Sequence, residues 1–325
     1  MDQKIDFVIT WVDGSDLEWQ KDKAKYSATG ADVRNARYRD WDQLKYWFRA
    51  VEKFAPWVNK IHFVTYGHLP KWLNTDNPKL NIVNHKDFIP EKYLPVFNST
   101  AIEVHLHRIP NLSDKFVYFC DDCYLMKPCN PTDFFKKNKP VDMPRLAPVL
   151  PANHEMYFYH LYNDYSVYRQ FFDKKRMLSL LGKYVNLKYG KIAFSNLSNL
   201  ISKNLYVFPL HLPKPILKET MAELWERYPR EFEETASSRF RQITNNSLEM
   251  VRGYYLMTGK FYPKRIKGIV LSTNNPMKAN STIKDCSYKL MCLSDVSSDN
   301  DFESDKKLIN SAFDTVFPEK CSFEK

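Results

Sequence analysis

Strand and helix signals alternate through the first 135 residues, and that alternation limits the possible folds more than any other feature of the chain. Residues 6–12 form a β-branched run. Within 41–54, Leu44, Trp47, Phe48 and Val51 recur at helical spacing and stop before Pro56. A second strand is predicted at 60–65, closed by Gly67, then a short helix at 70–73 and a third strand at 80–83. Another helix is predicted at 98–109, ended by Pro110, and a fourth strand at 115–119. Repeated β-α-β units imply an α/β, Rossmann-like fold, with a mainly parallel sheet flanked by helices.

The remaining chain is less regular. Residues 136–208 are rich in Tyr, Asn and Lys and predict a helical or irregular insert over the sheet's active edge, as a lid would lie. A strong helix is predicted at 214–228, with Leu217, Met221, Leu224 and Trp225 on one face, and another at 247–258, meeting Gly259. There is no internal repeat and no long linker. The expectation is one catalytic unit, 1–325, made of an α/β part (1–135), the insert (136–208) and a C-terminal part (209–325).

Two strands run into acidic turns. The first ends in Trp11-Val12-Asp13-Gly14-Ser15-Asp16, placing Asp13 and Asp16 where both could face one site. The second ends in Asp121-Asp122. In α/β proteins ligands sit beyond the carboxyl ends of strands. Adjacent carboxylates are costly to bury together unless a cation neutralises them, and two oxygens at a strand end suit Mg²⁺ or Mn²⁺. The plainer alternative is a turn with one capping aspartate. Asn98 could cap the helix that follows it, and Glu103 and His107 lie four apart on one face of that helix. His211 stands between Pro209-Leu210 and Leu212-Pro213, a rigid setting that suits a general base or a phosphate ligand, or a purely structural histidine. Arg239 and Arg241 offer two guanidinium groups, one of which could bind phosphate bidentately.

Cys120-x-x-Cys123 invites a zinc or redox reading, but Cys286, Cys292 and Cys321 are not spaced as a second pair. All six cysteines are therefore read as reduced thiols. The formal charge of +10 attracts polyanions. From Lys174 to Lys218 there is no Asp or Glu against nine Lys or Arg, interleaved with apolar residues. Such a segment can lie on an anionic membrane, grip a polyanionic substrate, or be a solvated basic face. No nucleic-acid motif accompanies the charge. With no long apolar run and no signal pattern, the chain is expected in the cytoplasm.

Four blocks in order resemble the Stealth family of sugar-phosphate transferases: IDFVITWVDGSDLEW; residues 39–125 with RDWDQLKYWFRAVEKFAPWVNKIHFVT, NHKDFIP and VFNSTAIEVHLHRIPNLSDKFVYFCDD; residues 211–259 with HLPKPILKETMAELWERYPREFEETASSRFR and YYLMTG; and residues 291–324 with CLSD and VFPEKCSFE. Two departures are visible: Cys120 and Ser294 stand where family members usually have Asn. The resemblance implies a GT-A-like nucleotide-sugar fold. It also implies transfer of hexose-1-phosphate from a nucleoside diphosphate sugar, UDP-linked, to a glycan or lipid-linked glycan hydroxyl, releasing UMP in capsule or cell-surface polysaccharide synthesis. It would place Mg²⁺ or Mn²⁺ on Asp121 and Asp122, with Asp122, His211 as base and Arg239 at the transferred phosphoryl group. Asp13, Gly14, Asp16, Arg39, Asn98 and Arg241 would shape the donor pocket. The rivals are a metal-dependent glycosyltransferase releasing UDP and a non-catalytic carbohydrate-binding protein.

Overall fold

A computed structural model describes residues 4–27, 38–148, 156–202 and 205–325. Its central sheet contains β1 (Ile5–Thr10), β2 (Ile61–Thr65), β3 (Leu80–Asn84) and β4 (Lys115–Phe119), all parallel, in the order β3-β2-β1-β4. The edge strand Lys214–Leu217 pairs antiparallel with β4. β2 and β4 are buried along their whole length, as parallel strands covered on both faces must be. The period-two alternation divides their side chains between two cores. Phe7, Ile9, Phe63, Val117 and Phe119 face one core, where Trp47 packs; Val8, Val64, Phe116 and Tyr118 face the other, with Leu224 and Leu256. The α/β, mainly parallel arrangement expected from the alternation is present.

α1 (Leu17–Tyr26) follows β1. α2 (Leu44–Phe54) covers the first core with the residues its spacing singles out, Leu44, Trp47, Phe48 and Val51, joined by Tyr46 and Ala50. A second sheet begins at once after Asp122. There β5 (Cys123–Leu125) pairs antiparallel with Leu290–Ser294, which lies parallel to Gly268–Ser272. The acidic pair therefore occupies the bend where the chain passes from one sheet to the next. The last helix, Phe302–Val316, docks on α2: the Tyr46 and Phe313 rings stack 5.2 Å apart, and Tyr46 Oη donates to Asp314 Oδ1 at 2.5 Å. Arg49 grips Glu324 through both oxygens at 2.6 and 2.7 Å.

Three sequence expectations need correction. Residues 98–109 are not one helix: α3 (Ser99–Glu103) stops and a single 3-10 turn, Leu106–Arg108, follows. Side chains take the carbonyls that would extend it, His105 Nδ1 pairing with Ala101 O at 2.8 Å and Trp225 Nε1 donating to Val104 O at 2.7 Å. Glu103 consequently meets Tyr118 instead of His107. Residues 214–217 are strand, and the helix runs only over Lys218–Arg227. Pro215 lacks an amide donor and holds its predecessor extended, which an edge strand tolerates and a helix interior does not. Residues 70–73 form a turn, with Leu73 bridging to Glu324.

The insert region carries the helices Met156–Tyr168, Lys174–Ser179, Leu181–Tyr184 and Lys191–Asn199. No helix among the described residues is long and apolar enough to cross a membrane.

Candidate active site

From β1 the chain adds β2 and β3 on one side, then returns to add β4 on the other. That reversal opens a crevice beyond the carboxyl ends of β1 and β4, the position where open α/β sheets bind ligands. Ile9 of β1 pairs with Phe119 of β4, so both acidic turns emerge side by side.

Asp121 and Asp122 begin where β4 ends, and His211 comes from the segment leading into the antiparallel edge strand. Lys214 pairs with Tyr118, and three residues back along that antiparallel strand the register carries His211 alongside the acidic pair. His211 Nε2 lies 3.2 Å from Asp122 Oδ2. Two thiols complete Asp122's surroundings: Cys123 Sγ donates to Oδ1 at 3.4 Å and Cys292 Sγ to Oδ2 at 3.3 Å. All six cysteines are free thiols, as expected. Burial works against a charged His211, but the neighbouring Asp122 carboxylate overcomes it and raises the imidazole to about 9. Asp122 is correspondingly held below the usual carboxylate range against its own desolvation, first by the His211 charge. Asp121 is open to solvent at the rim of the cleft. Desolvation by the cleft walls and then the charges of Asp122 and Asp40 push it up to about 7.

Asp40 is a residue that sequence reasoning missed. Its own carboxyl is raised, chiefly by burial. Its signal was present, because it directly follows Arg39 in the second block, but it stands alone in sequence and meets Asp121 only through the fold. Carboxylate charge gathered around Asp121 in this way is what a hard cation such as Mg²⁺ or Mn²⁺ relieves. Among the described residues, Asp122 lies with His211, Cys120 and Cys123 in a group of side chains close enough together to hold a metal ion.

The turn after β1 is built from its own polar groups. Asp13 Oδ1 accepts from Ser15 N at 2.8 Å and Ser15 Oγ at 2.6 Å, and its amide donates to His68 Nε2 at 2.7 Å. Asp16 caps α1 by accepting from Trp19 N at 2.7 Å. Gly14 must be glycine, since a Cβ there would lie 1.9 Å from the Tyr38 carbonyl oxygen. Arg39 is held by the fourth block: Nε and Nη2 donate to the two Asp295 oxygens at 2.7 and 2.5 Å, and Nη1 donates to Asp299 at 2.9 Å. Its planar fork ties the entry to α2 to the C-terminal part.

Asn98 is fully buried. It caps α3 through Thr100 N and donates to Ser238 O at 3.0 Å and Asn245 Oδ1 at 2.9 Å, so it anchors the loop that carries both arginines. The two diverge. Arg239 is exposed, with its guanidinium over the Tyr26 ring at 5.0 Å. Arg241 donates to Ser99 Oγ at 2.6 Å, and its charge acts on buried Glu103. Glu103, raised first by burial, also feels Lys214 and His211. It accepts from Tyr118 Oη at 3.1 Å, which shares a 2.9 Å hydrogen bond with Thr10 Oγ1 at the end of β1. The charges of Arg241 and His211 thus both act on the Glu103 carboxylate, while Arg239 lies over Tyr26.

Clustered carboxylates and a paired histidine thus meet beyond the strand ends at the switch point, the place where open α/β sheets bind ligands. Residues 3–31 match Stealth protein CR1, conserved region 1; residues 37–143 match conserved region 2; and residues 210–257 match conserved region 3. The chain is 37% identical over 332 residues to a capsular polysaccharide phosphotransferase WcwK of Streptococcus pneumoniae, covering 99% of this chain and 98% of that one. It is 36% identical to a receptor polysaccharide phosphotransferase WefC of Streptococcus oralis, over 99% of both. An exopolysaccharide phosphotransferase cps2G of Lactiplantibacillus plantarum is 33% identical, over 99% of this chain and 96% of its own. Among solved structures, the galactosyltransferase LgtC aligns over 94% of this chain and 95% of its own at 12% identity, with a TM-score of 0.39. The chain belongs to the Stealth family, and it is a transferase.

Proposed function

We propose that this protein transfers hexose-1-phosphate from a UDP-linked sugar to a hydroxyl of a glycan acceptor, forming a phosphodiester and releasing UMP during cell-surface polysaccharide synthesis. The observation that carries the reading is the meeting of Asp121 and Asp122 with His211 beyond the β1–β4 switch point. The phosphotransferase names of the full-length relatives support the reaction class. Attack on the phosphorus beside the sugar leaves the sugar C1–O bond intact. Such chemistry needs positioning and charge neutralisation more than a covalent intermediate.

Asp121 and Asp122, with Asp40 beside them, would hold the Mg²⁺ or Mn²⁺, whose part when bound is to neutralise diphosphate charge. His211 takes the acceptor hydroxyl proton. Asp122 keeps the resting ring protonated, so the base form arises when donor binding draws that carboxylate's charge elsewhere. Arg241 replaces Arg239 as the group facing the transferred phosphoryl charge, because it shares Glu103 with His211. The turn of Asp13, Gly14 and Asp16 shapes the donor pocket, with Arg39 and Asn98 bracing its walls. The whole chain acts as one catalytic unit. The test is incubation with a panel of nucleotide sugars, a glycan acceptor and Mg²⁺. UMP with a phosphodiester product is expected, whereas UDP with a glycosidic product refutes the reading in favour of an ordinary glycosyltransferase.

The acceptor is best presented at an anionic lipid surface on the cytoplasmic side. Leu187, Phe194, Leu197 and Ile201 are 79%, 66%, 51% and 90% exposed, and Lys175, Arg176, Lys188 and Lys191 of the same stretch of chain are exposed too. The side chain of Lys174 and the whole of Lys203 lie outside the described set. Apolar side chains interleaved with cations are how a protein lies on acidic headgroups. Changing Phe194 and Ile201 to Ser should cut binding to phosphatidylserine vesicles at least tenfold in cosedimentation. Unchanged binding would leave the segment a solvated face.

A further inference from the structure

The bend that presents Asp122 also gathers ligands of a different chemical kind. Cys120 Sγ, Cys123 Sγ, His211 and an Asp122 oxygen all lie within 4.8 Å of one another. Three of these residues come from one turn, and the fourth comes from a segment 88 residues beyond Cys123 in sequence. Tetrahedral zinc with Zn–S of about 2.3 Å and Zn–N of about 2.0 Å has ligand–ligand edges of roughly 3.3 to 3.8 Å. The His211 Nε2–Asp122 Oδ2 contact of 3.2 Å already matches such an edge, and Cys123 Sγ reaches the other Asp122 oxygen at 3.4 Å. Cys292, fully buried on the second sheet, donates to Asp122 and would fix that carboxylate's orientation, the usual part of an outer-shell partner. The Cys-x-x-Cys turn lacks a second pair in sequence; the fold supplies a carboxylate and an imidazole in its place.

We propose that Cys120, Cys123, His211 and Asp122 bind one Zn²⁺ per chain, and that this binding competes with transfer. Thiolates and imidazole select zinc over Mg²⁺, which prefers oxygen ligands such as the proposed pair Asp121 and Asp122. Each cysteine releases its thiol proton to solvent as its sulfur ligates, and the ring coordinates in neutral form. Asp122 belongs to both sets, and His211 is also the proposed base. A zinc ion held by the thiolates therefore takes the carboxylate from the Mg²⁺ set and the lone pair from the proposed base. The competition rests on the proposed function; the zinc binding does not.

The experiment begins with cobalt(II) titrated into fully reduced, anaerobic protein, followed by its displacement with zinc against a chromophoric chelator. Wild-type protein should show a thiolate-to-cobalt charge-transfer band with tetrahedral ligand-field absorption, saturating at one equivalent. Cys120→Ser should lose the band and weaken zinc binding by at least the roughly 100-fold seen when even outer-shell partners are removed. Cys120→Asn serves as a second variant if the serine protein does not reach the wild-type circular dichroism spectrum. No thiolate band in the wild type, or an undiminished band in Cys120→Ser, overturns the site. In the Mg²⁺-supported assay, zinc should inhibit the wild type in step with occupancy and spare Cys120→Ser. Inhibition absent at full occupancy overturns the competition. A band that forms in a protein inert toward every nucleotide sugar leaves the zinc site standing and removes the proposed function instead.

Discussion

Asp122→Asn is expected to lower the transfer rate by about 10³-fold, the largest functional effect of any single change in this protein. The estimate joins two losses: a carboxylate of the cation-accepting set, and the charge that orients His211. Each is of the size that one preorganised electrostatic group contributes, and about 4 kcal/mol in the barrier corresponds to that factor. The amide is nearly isosteric, and its oxygen can still accept from the Cys123 or Cys292 thiol, so the bend should keep its shape. A second readout separates electrostatics from misfolding. His211 stands at about 9 because Asp122 outweighs the opposing effect of burial. With that charge removed, the largest group opposing burial is lost and the imidazole titration followed by NMR should move down from about 9. The sign for stability follows. A histidine raised in the folded state stabilises fully below about pH 6.5 and loses that contribution as pH rises through about 9, and the variant should lose this alkaline dependence. Transfer surviving in both Asp122→Asn and His211→Ala would sink the assignment.

How far the site could be read in the sequence depended on how local each feature is. β4 was legible to the residue, because four apolar residues in a row after Lys115, bounded by turn residues, are a local signal, and the acidic pair at its end came with it. α2 was legible because its apolar positions repeat at helical spacing. The broken helix after Asn98 was not, since the groups that interrupt it include Trp225, more than 120 positions away. The strand at Lys214–Leu217 was misread as helix although Pro213 and Pro215 are plain in the sequence; the apolar spacing of the helix that follows was extended backward across them. Asp40 and Cys292 reach the Asp121–Asp122 bend by tertiary folding alone. Arg39, read as a substrate ligand, is engaged by Asp295 and Asp299, partners some 256 and 260 positions on. Sequence separation of that order hides which acid an arginine meets.

Arg252→Met is expected to destabilise the fold by about 3–5 kcal/mol, the penalty of leaving a buried charge without its partner. Arg252 is buried in the helix Glu249–Thr258. Nε and Nη2 donate to the two oxygens of Asp142 at 2.8 and 3.0 Å, and Nη1 donates to Phe208 O at 3.1 Å and approaches Glu249 at 3.4 Å. Glu249 in turn lies 3.4 Å from Lys214, whose ammonium is held above its usual range despite burial, Glu249 being the first charge to offset that cost. The network joins the strand Lys139–Asp142, the helix and the edge strand three residues past His211, so its loss should loosen the active-site wall as well as the core. Methionine matches the arginine stem but leaves Asp142 without its guanidinium partner in a largely buried setting. Equilibrium urea unfolding should show a lower midpoint at unchanged slope, which marks lost stability rather than a changed unfolded state. The double variant Arg252→Met with Asp142→Leu should recover most of the loss, because an apolar pair of similar volume removes the uncompensated charge. Recovery would show that the single variant's cost is desolvated charge; a double variant as unstable as the single one would place it in the lost hydrogen bond to Phe208 and the packing of the guanidinium.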